Sequence, residues 1–92
     1  MNIFRKRPEV YLSGWIDEGE LHIREAPLPD GKNAIKALKR IIRKAKKHGA
    51  SKAYMYVDTF DMGAAAVITF IHRRKSTQIW TDRRYIEYEW EV

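Results

Sequence analysis

The sequence predicts an α+β fold: a two-layer sandwich in which one long amphipathic helix lies on a mostly antiparallel five-stranded sheet, in the order ββαβββ. Three observations predict it. A central run repeats apolar residues at the 3.6-residue period of a helix. The segments on either side alternate with the period of two expected of strands. Short turn signals separate those segments, and sequential strands joined by short turns pair antiparallel. One helix covers one face of such a sheet and leaves the other open.

Residues 1–8 form a basic lead-in ending at Pro8. From Glu9 to Ile16, Val10, Leu12 and Ile16 alternate with Tyr11, Ser13 and Trp15, with Gly14 in phase with the first set. This reads as a strand in which Gly14 marks a bulge. Asp17, Glu18 and Gly19 give a turn, and Leu21 and Ile23 then alternate with Glu20, His22 and Arg24. The two strands pair as a hairpin over residues 9–25. Two prolines and a glycine between Ala26 and Gly31 end the hairpin in a loop. The helix runs over residues 33–48, with Asp30 or Asn33 as its cap and Gly49 as its C′ residue.

The remainder, residues 53–92, reads as a β-meander. Ala53 to Thr59 is a strand, Asp61 to Gly63 a turn, and Ala64 to His72 the most apolar strand, central in the sheet. Ser76 to Thr81 is a short return strand, followed by a turn at Asp82 and Arg83. In the last strand Ile86, Tyr88, Trp90 and Val92 alternate against Glu87, Glu89 and Glu91. No repeat or linker divides the chain, so residues 1–92 are read as a single domain.

The chain has 92 residues, 45% hydrophobic and 33% charged, which suits a folded domain with a thin core. Its formal net charge of +6 favours polyanionic partners. The absence of cysteine excludes disulfides and thiolate metal sites and points to a reducing, cytoplasmic setting. No stretch approaches the ~18 apolar residues of a membrane span, and no apolar signal core follows the basic N-terminus, so no membrane association is expected.

The helix carries the strongest functional signal. Ala34, Ile35, Leu38, Ile41, Ile42 and Ala45 fall within an arc of roughly 120°. Lys36, Lys39, Arg40, Arg43, Lys44, Lys46 and Lys47 occupy the other side, and no acidic residue lies between Gly31 and Ala50. Ordinary surface helices mix signs, because like charges at i,i+4 destabilise them. A solvated lysine-rich face explains solubility but not this one-sidedness. Lys36, Arg40, Arg43 and Lys47 make one ridge along the helix, suited to a track of phosphates or to an acidic protein groove. Basic turns at Arg73 and Arg74, and at Arg83 and Arg84, add phosphate-binding candidates that equally suit plain solvation.

A second candidate surface is the open sheet face, which receives Tyr11, Trp15, His22, Arg24, Tyr54 and Tyr56. Tyr, Trp and Arg are enriched at protein interfaces, so a homodimer or partner contact is favoured there over stacking of unpaired bases. The Glu87, Glu89 and Glu91 stripe pairs with basic neighbours or repels nucleic acid from its face.

No catalytic motif is present, and none of the phosphate-loop, nucleophile-elbow or zinc-protease patterns occurs. His22, His48 and His72 are far apart, and His72 reads as a satisfied structural residue. Asp58, Asp61 and Asp82 read as turn caps rather than ion ligands. No cofactor or metal is implied. The expectation is a non-catalytic protein that engages nucleic acid, RNA included, or a ribonucleoprotein through its basic helix. The alternative is a small phage- or plasmid-type inhibitor, anti-CRISPR-like in type, or an adaptor acting by protein–protein contact on a host nucleic-acid-processing complex. No sequence motif ties the chain to a particular family.

Overall fold

A computed structural model describes residues 14–23 and 30–92. The first described elements are β1 (Gly14–Asp17) and β2 (Glu20–Ile23), paired antiparallel with Asp17 opposite Glu20. The turn between them has two residues, Glu18 at φ 52° and Gly19 at φ 81°. Left-handed backbone at both positions matches the twist of the hairpin. Gly14 pairs with Ile23, and among the described residues the ladder from there to Asp17 and Glu20 is unbroken, so no bulge follows Gly14. A side chain there would run into the carbonyl of His22, and this close approach explains the glycine. The expected strand residues 9–13, Tyr11 among them, and the expected loop residues 26–29 lie outside the described residues, as does Arg24.

Helix α1 (Gly31–Lys47) starts where Asp30 accepts the Asn33 backbone N–H at 3.0 Å. It ends in a Schellman closure: the Ala50 N–H donates to the Ala45 carbonyl and the Gly49 N–H to the Lys46 carbonyl, each at 3.1 Å. Gly49, at φ 89°, supplies the left-handed residue that closure needs. Gly31 is required for another reason. A Cβ at that position would sit 2.6 Å from the Ala66 Cβ of the second helix, so the two helices meet closely at this point.

Strand β3 (Lys52–Asp58) follows and pairs parallel with β2, the arrangement a helical crossover imposes. The next element corrects the expectation. Residues 64–72 form helix α2 (Ala64–His72), not a central strand, so residues 53–92 are not a meander. Ala64, Val67 and Ile71 are buried at helical spacing, with Phe70 beside them. The helical period is hard to see because exposed Ala65 and Thr69 make the outer side only weakly polar, and Ile68 is itself partly buried. Three consecutive alanines favour the helix, and the Thr69 hydroxyl donates to the Ala65 carbonyl at 2.9 Å within it.

Strands β4 (Ser76–Thr81) and β5 (Tyr85–Glu91) complete the fold. The observed order is therefore ββαβαββ, with two helices and a five-stranded mixed sheet in the spatial order β1-β2-β3-β5-β4. Strand β5 lies between β3 and β4 and runs antiparallel to both. The one sheet irregularity among the described residues is in β4, between Gln78 and Trp80.

Both helices pack on one face. Leu21, Ile23, Met55, Val57, Tyr88 and Trp90 meet Leu38 and Ile42 of α1 and Val67, Phe70 and Ile71 of α2 in one buried cluster. Ile41 and Ile68 pack partly buried against it. Among the described residues, no helix covers the other face of the sheet, the arrangement of a two-layer sandwich. No helix among the described residues is long and apolar enough to cross a membrane.

Candidate polyanion-binding face

The apolar stripe of α1 decides which of its side chains reach solvent. Ala34, Ala37, Leu38, Ile42 and Ala45 are buried, so the opposite arc must face outward. Lys36, Lys39, Arg40, Arg43, Lys44, Lys46 and Lys47 are all exposed. None of them has a carboxylate partner among the described residues. At 100° per residue, Lys36, Arg40, Arg43 and Lys47 occupy an arc of about 60°. Lys32 lies within that ridge and is exposed too. The periodicity places the helix start at residue 33 and so leaves Lys32 outside it, whereas the helix begins at Gly31. The ridge from Lys32 to Lys47 is about 22 Å long at 1.5 Å per residue.

This arrangement costs α1 stability. Lys32–Lys36, Lys36–Arg40, Lys39–Arg43, Arg40–Lys44 and Arg43–Lys47 are like-charge i,i+4 pairs, each unfavourable by about 0.2–0.5 kcal/mol. Lys44, Lys46 and Lys47 recover part of it by standing in the last turn, at the negative end of the helix dipole. Chemically, the face is a row of strong donors with no carboxylate paired to them among the described residues, which is what phosphate or carboxylate tracks require.

The two basic turns sit on other elements. They flank edge strand β4, as its sequence position requires. Arg73 is exposed at the end of α2, and Arg74 lays its guanidinium 4.0 Å above the Phe70 ring. Arg83 is exposed in the β4–β5 turn. Arg84 is committed within the molecule: its Nε and a terminal nitrogen donate to Asp58 at 2.9 to 3.1 Å. The bond from Arg84, with the Phe60 N–H as a further donor, holds the Asp58 carboxyl below its ordinary range against the opposing effect of burial. Asp82 accepts the Arg84 and Tyr85 N–H groups at 2.8 Å, which lowers its pKa as well. Asp58 and Asp82 are therefore engaged with Arg84 and turn amides. No group of three His, Asp or Glu side chains is placed to hold a metal ion among the described residues.

On the open sheet face, Trp15, His22 and Tyr54 stand side by side across β1, β2 and β3. Their ring centroids are 5.4 and 5.1 Å apart, and the planes are tilted by 19° and 9°. Tyr56 meets Trp80 edge-on at 5.9 Å. Trp15 is 54% exposed, Trp80 46% and Tyr56 40%. Trp80 is an addition to the expected aromatic set, because its strand alternation is broken by the β4 irregularity. The Tyr54 hydroxyl donates to Glu20 at 3.3 Å, and its pKa is raised by burial first and by Glu20 and Glu89 second. Lys52 pairs with Glu89 at 2.7 Å, which gives part of the acidic stripe its expected basic neighbour. His72 is exposed at the end of α2, edge-on to Tyr88 at 5.3 Å. No family model, curated protein or solved structure matches the chain.

Proposed function

We propose that the protein is a non-catalytic binding protein that engages nucleic acid, free or within a ribonucleoprotein, through the exposed basic face of α1. The observation that carries this reading is the face itself: seventeen helical residues without one carboxylate, every outward cation in solvent. A helix that merely needed solubility would gain from alternating signs. The open sheet face supports the same choice of side, because Glu20, Glu87 and Glu89 beside its aromatics oppose an approaching phosphate backbone.

Binding of the chain to a labelled mixed-sequence RNA and to a DNA duplex across a salt series tests the proposal. For a helix-face binder the logarithm of affinity falls linearly with log salt, and the Arg40→Glu, Arg43→Glu double reversal abolishes binding. The second reading, an inhibitor or adaptor directed at a host protein complex, is favoured by the exposed Trp15, Tyr56 and Trp80. That reading predicts weak or no binding to naked nucleic acid and recovery of a defined complex from a pull-down in the native host.

A further inference from the structure

Among the described residues, the open face of the sheet has the opposite charge to α1. The strand register places Asp17, Glu20, Glu87, Glu89 and Glu91 on it, with Lys52 as its lysine among the described residues. Lys52 is already taken by Glu89. Beside this chemistry the surface dips into an open hollow of about 240 Å³, lined by Trp15, His22, Tyr54, Tyr56 and Glu87. That volume lies below the ~300–1,000 Å³ of small-molecule sites and suits the head of one side chain.

Aromatic faces next to carboxylates select for one class of ligand. A guanidinium or ammonium group is attracted to the ring quadrupole and pairs with the carboxylates around it, and a guanidinium also stacks flat on an aromatic plane. A nucleic acid would find stacking partners but bring its phosphates against Glu87 and Glu89. A neutral apolar segment would strip water from those carboxylates without compensation. We propose that this face is a docking surface for an arginine- or lysine-bearing segment of a protein partner, with one cationic head seated in the hollow between Tyr54 and Glu87. The proposal does not rest on the nucleic-acid reading, because it uses the layer of the fold that α1 does not cover. It makes the molecule two-sided, with a cation-accepting sheet behind a polyanion-accepting helix.

The test is a titration of the isotope-labelled full chain with an acetylated hexa-arginine amide, followed by backbone amide shifts, with a hexaglutamate peptide as control. The proposal predicts saturable shifts at Trp15, His22, Tyr54 and Glu87 with hexa-arginine, and shifts at α1 alone with hexaglutamate. Trp15→Ala and Glu87→Gln should each weaken hexa-arginine binding by about two- to fivefold and leave the hexaglutamate response unchanged. Trp15 is 54% exposed and Glu87→Gln is isosteric, so both variants retain the fold. Shifts scattered over the surface without saturation, or equal affinity in both variants, would overturn the proposal. It also falls if the same sheet residues shift with protein concentration alone, together with α1, since the occupant is then a second copy.

Discussion

Replacing Arg40 and Arg43 by Gln removes two charges from the middle of the α1 ridge without touching the core. Both side chains are exposed, and Gln keeps a helix propensity close to that of Arg. The ridge of Lys32, Lys36, Arg40, Arg43 and Lys47 brings five cations to a phosphate track. Each phosphate neutralised on a duplex contributes about 0.9 to the slope of log affinity against log salt, so five contacts give a slope near about −4.5 and three give about −2.7. Between 50 and 200 mM salt the natural chain should lose about 500-fold in affinity and the double variant about 40-fold. Fluorescence anisotropy with a labelled duplex, repeated across the salt series, reads both slopes directly. The variant should melt at or slightly above the natural temperature, because the like-charge pairs made by Arg40 and Arg43 disappear. An unchanged slope with an unchanged affinity would mean that the basic helix is a solvated face and not the contact surface.

Leu38 is fully buried between α1 and the sheet, and Leu38→Ala should cost about 2–5 kcal/mol in a denaturant or thermal melt. A loss below about 1 kcal/mol would contradict its place in the core. Asp58 is held below its ordinary value of 3.8, so its pairing with Arg84 stabilises the fold above that value and is lost as the pH falls through the lowered folded pKa. Asp58→Asn should therefore lower stability at neutral pH and flatten the acid limb of the stability profile, and a limb of natural steepness would count against the pairing. Glu18 occupies a left-handed position that Asn tolerates better, so Glu18→Asn should raise stability by about 0.5–1 kcal/mol in the same melts. A loss of stability there would argue against the turn.

The elements legible in the sequence are those whose two sides differ strongly in polarity. Helix α1 sets Leu38 and Ile42 against a wall of lysine and arginine, and its caps at Asp30 and Gly49 are local chemistry, so its extent was readable to within two residues at the start. Strand β5 sets Tyr88 and Trp90 against Glu87 and Glu89, and β3 sets Met55 and Val57 against Tyr54 and Tyr56. Their inward faces follow from alternation alone, and so does the placement of Trp15, His22 and Tyr54 on the open face, whereas their alignment in one row depends on the parallel β2–β3 pairing. Helix α2 fails the same criterion. Short apolar runs carry little periodicity, and Val67, Ile68 and Ile71 are residues that also suit a strand. Strand order is a matter of tertiary packing: nothing local in Lys52 to Asp58 says that it pairs parallel with β2 through a crossover, or that β5 inserts between β3 and β4. At the candidate site, the basic ridge was readable from spacing. The commitment of Arg84 to Asp58 joins positions 26 residues apart and has no sequence signature.

The central claim is that the polyanion meets α1 and avoids the sheet. Backbone amide shift mapping of the full chain, titrated with an unlabelled mixed-sequence oligonucleotide at low salt, tests it most directly. Shifts are expected along Lys32, Lys36, Lys39, Arg40, Arg43 and Lys47, with Trp15, His22, Tyr54 and Glu87 unmoved. Shifts centred on the aromatic sheet residues, with α1 unmoved, would contradict it.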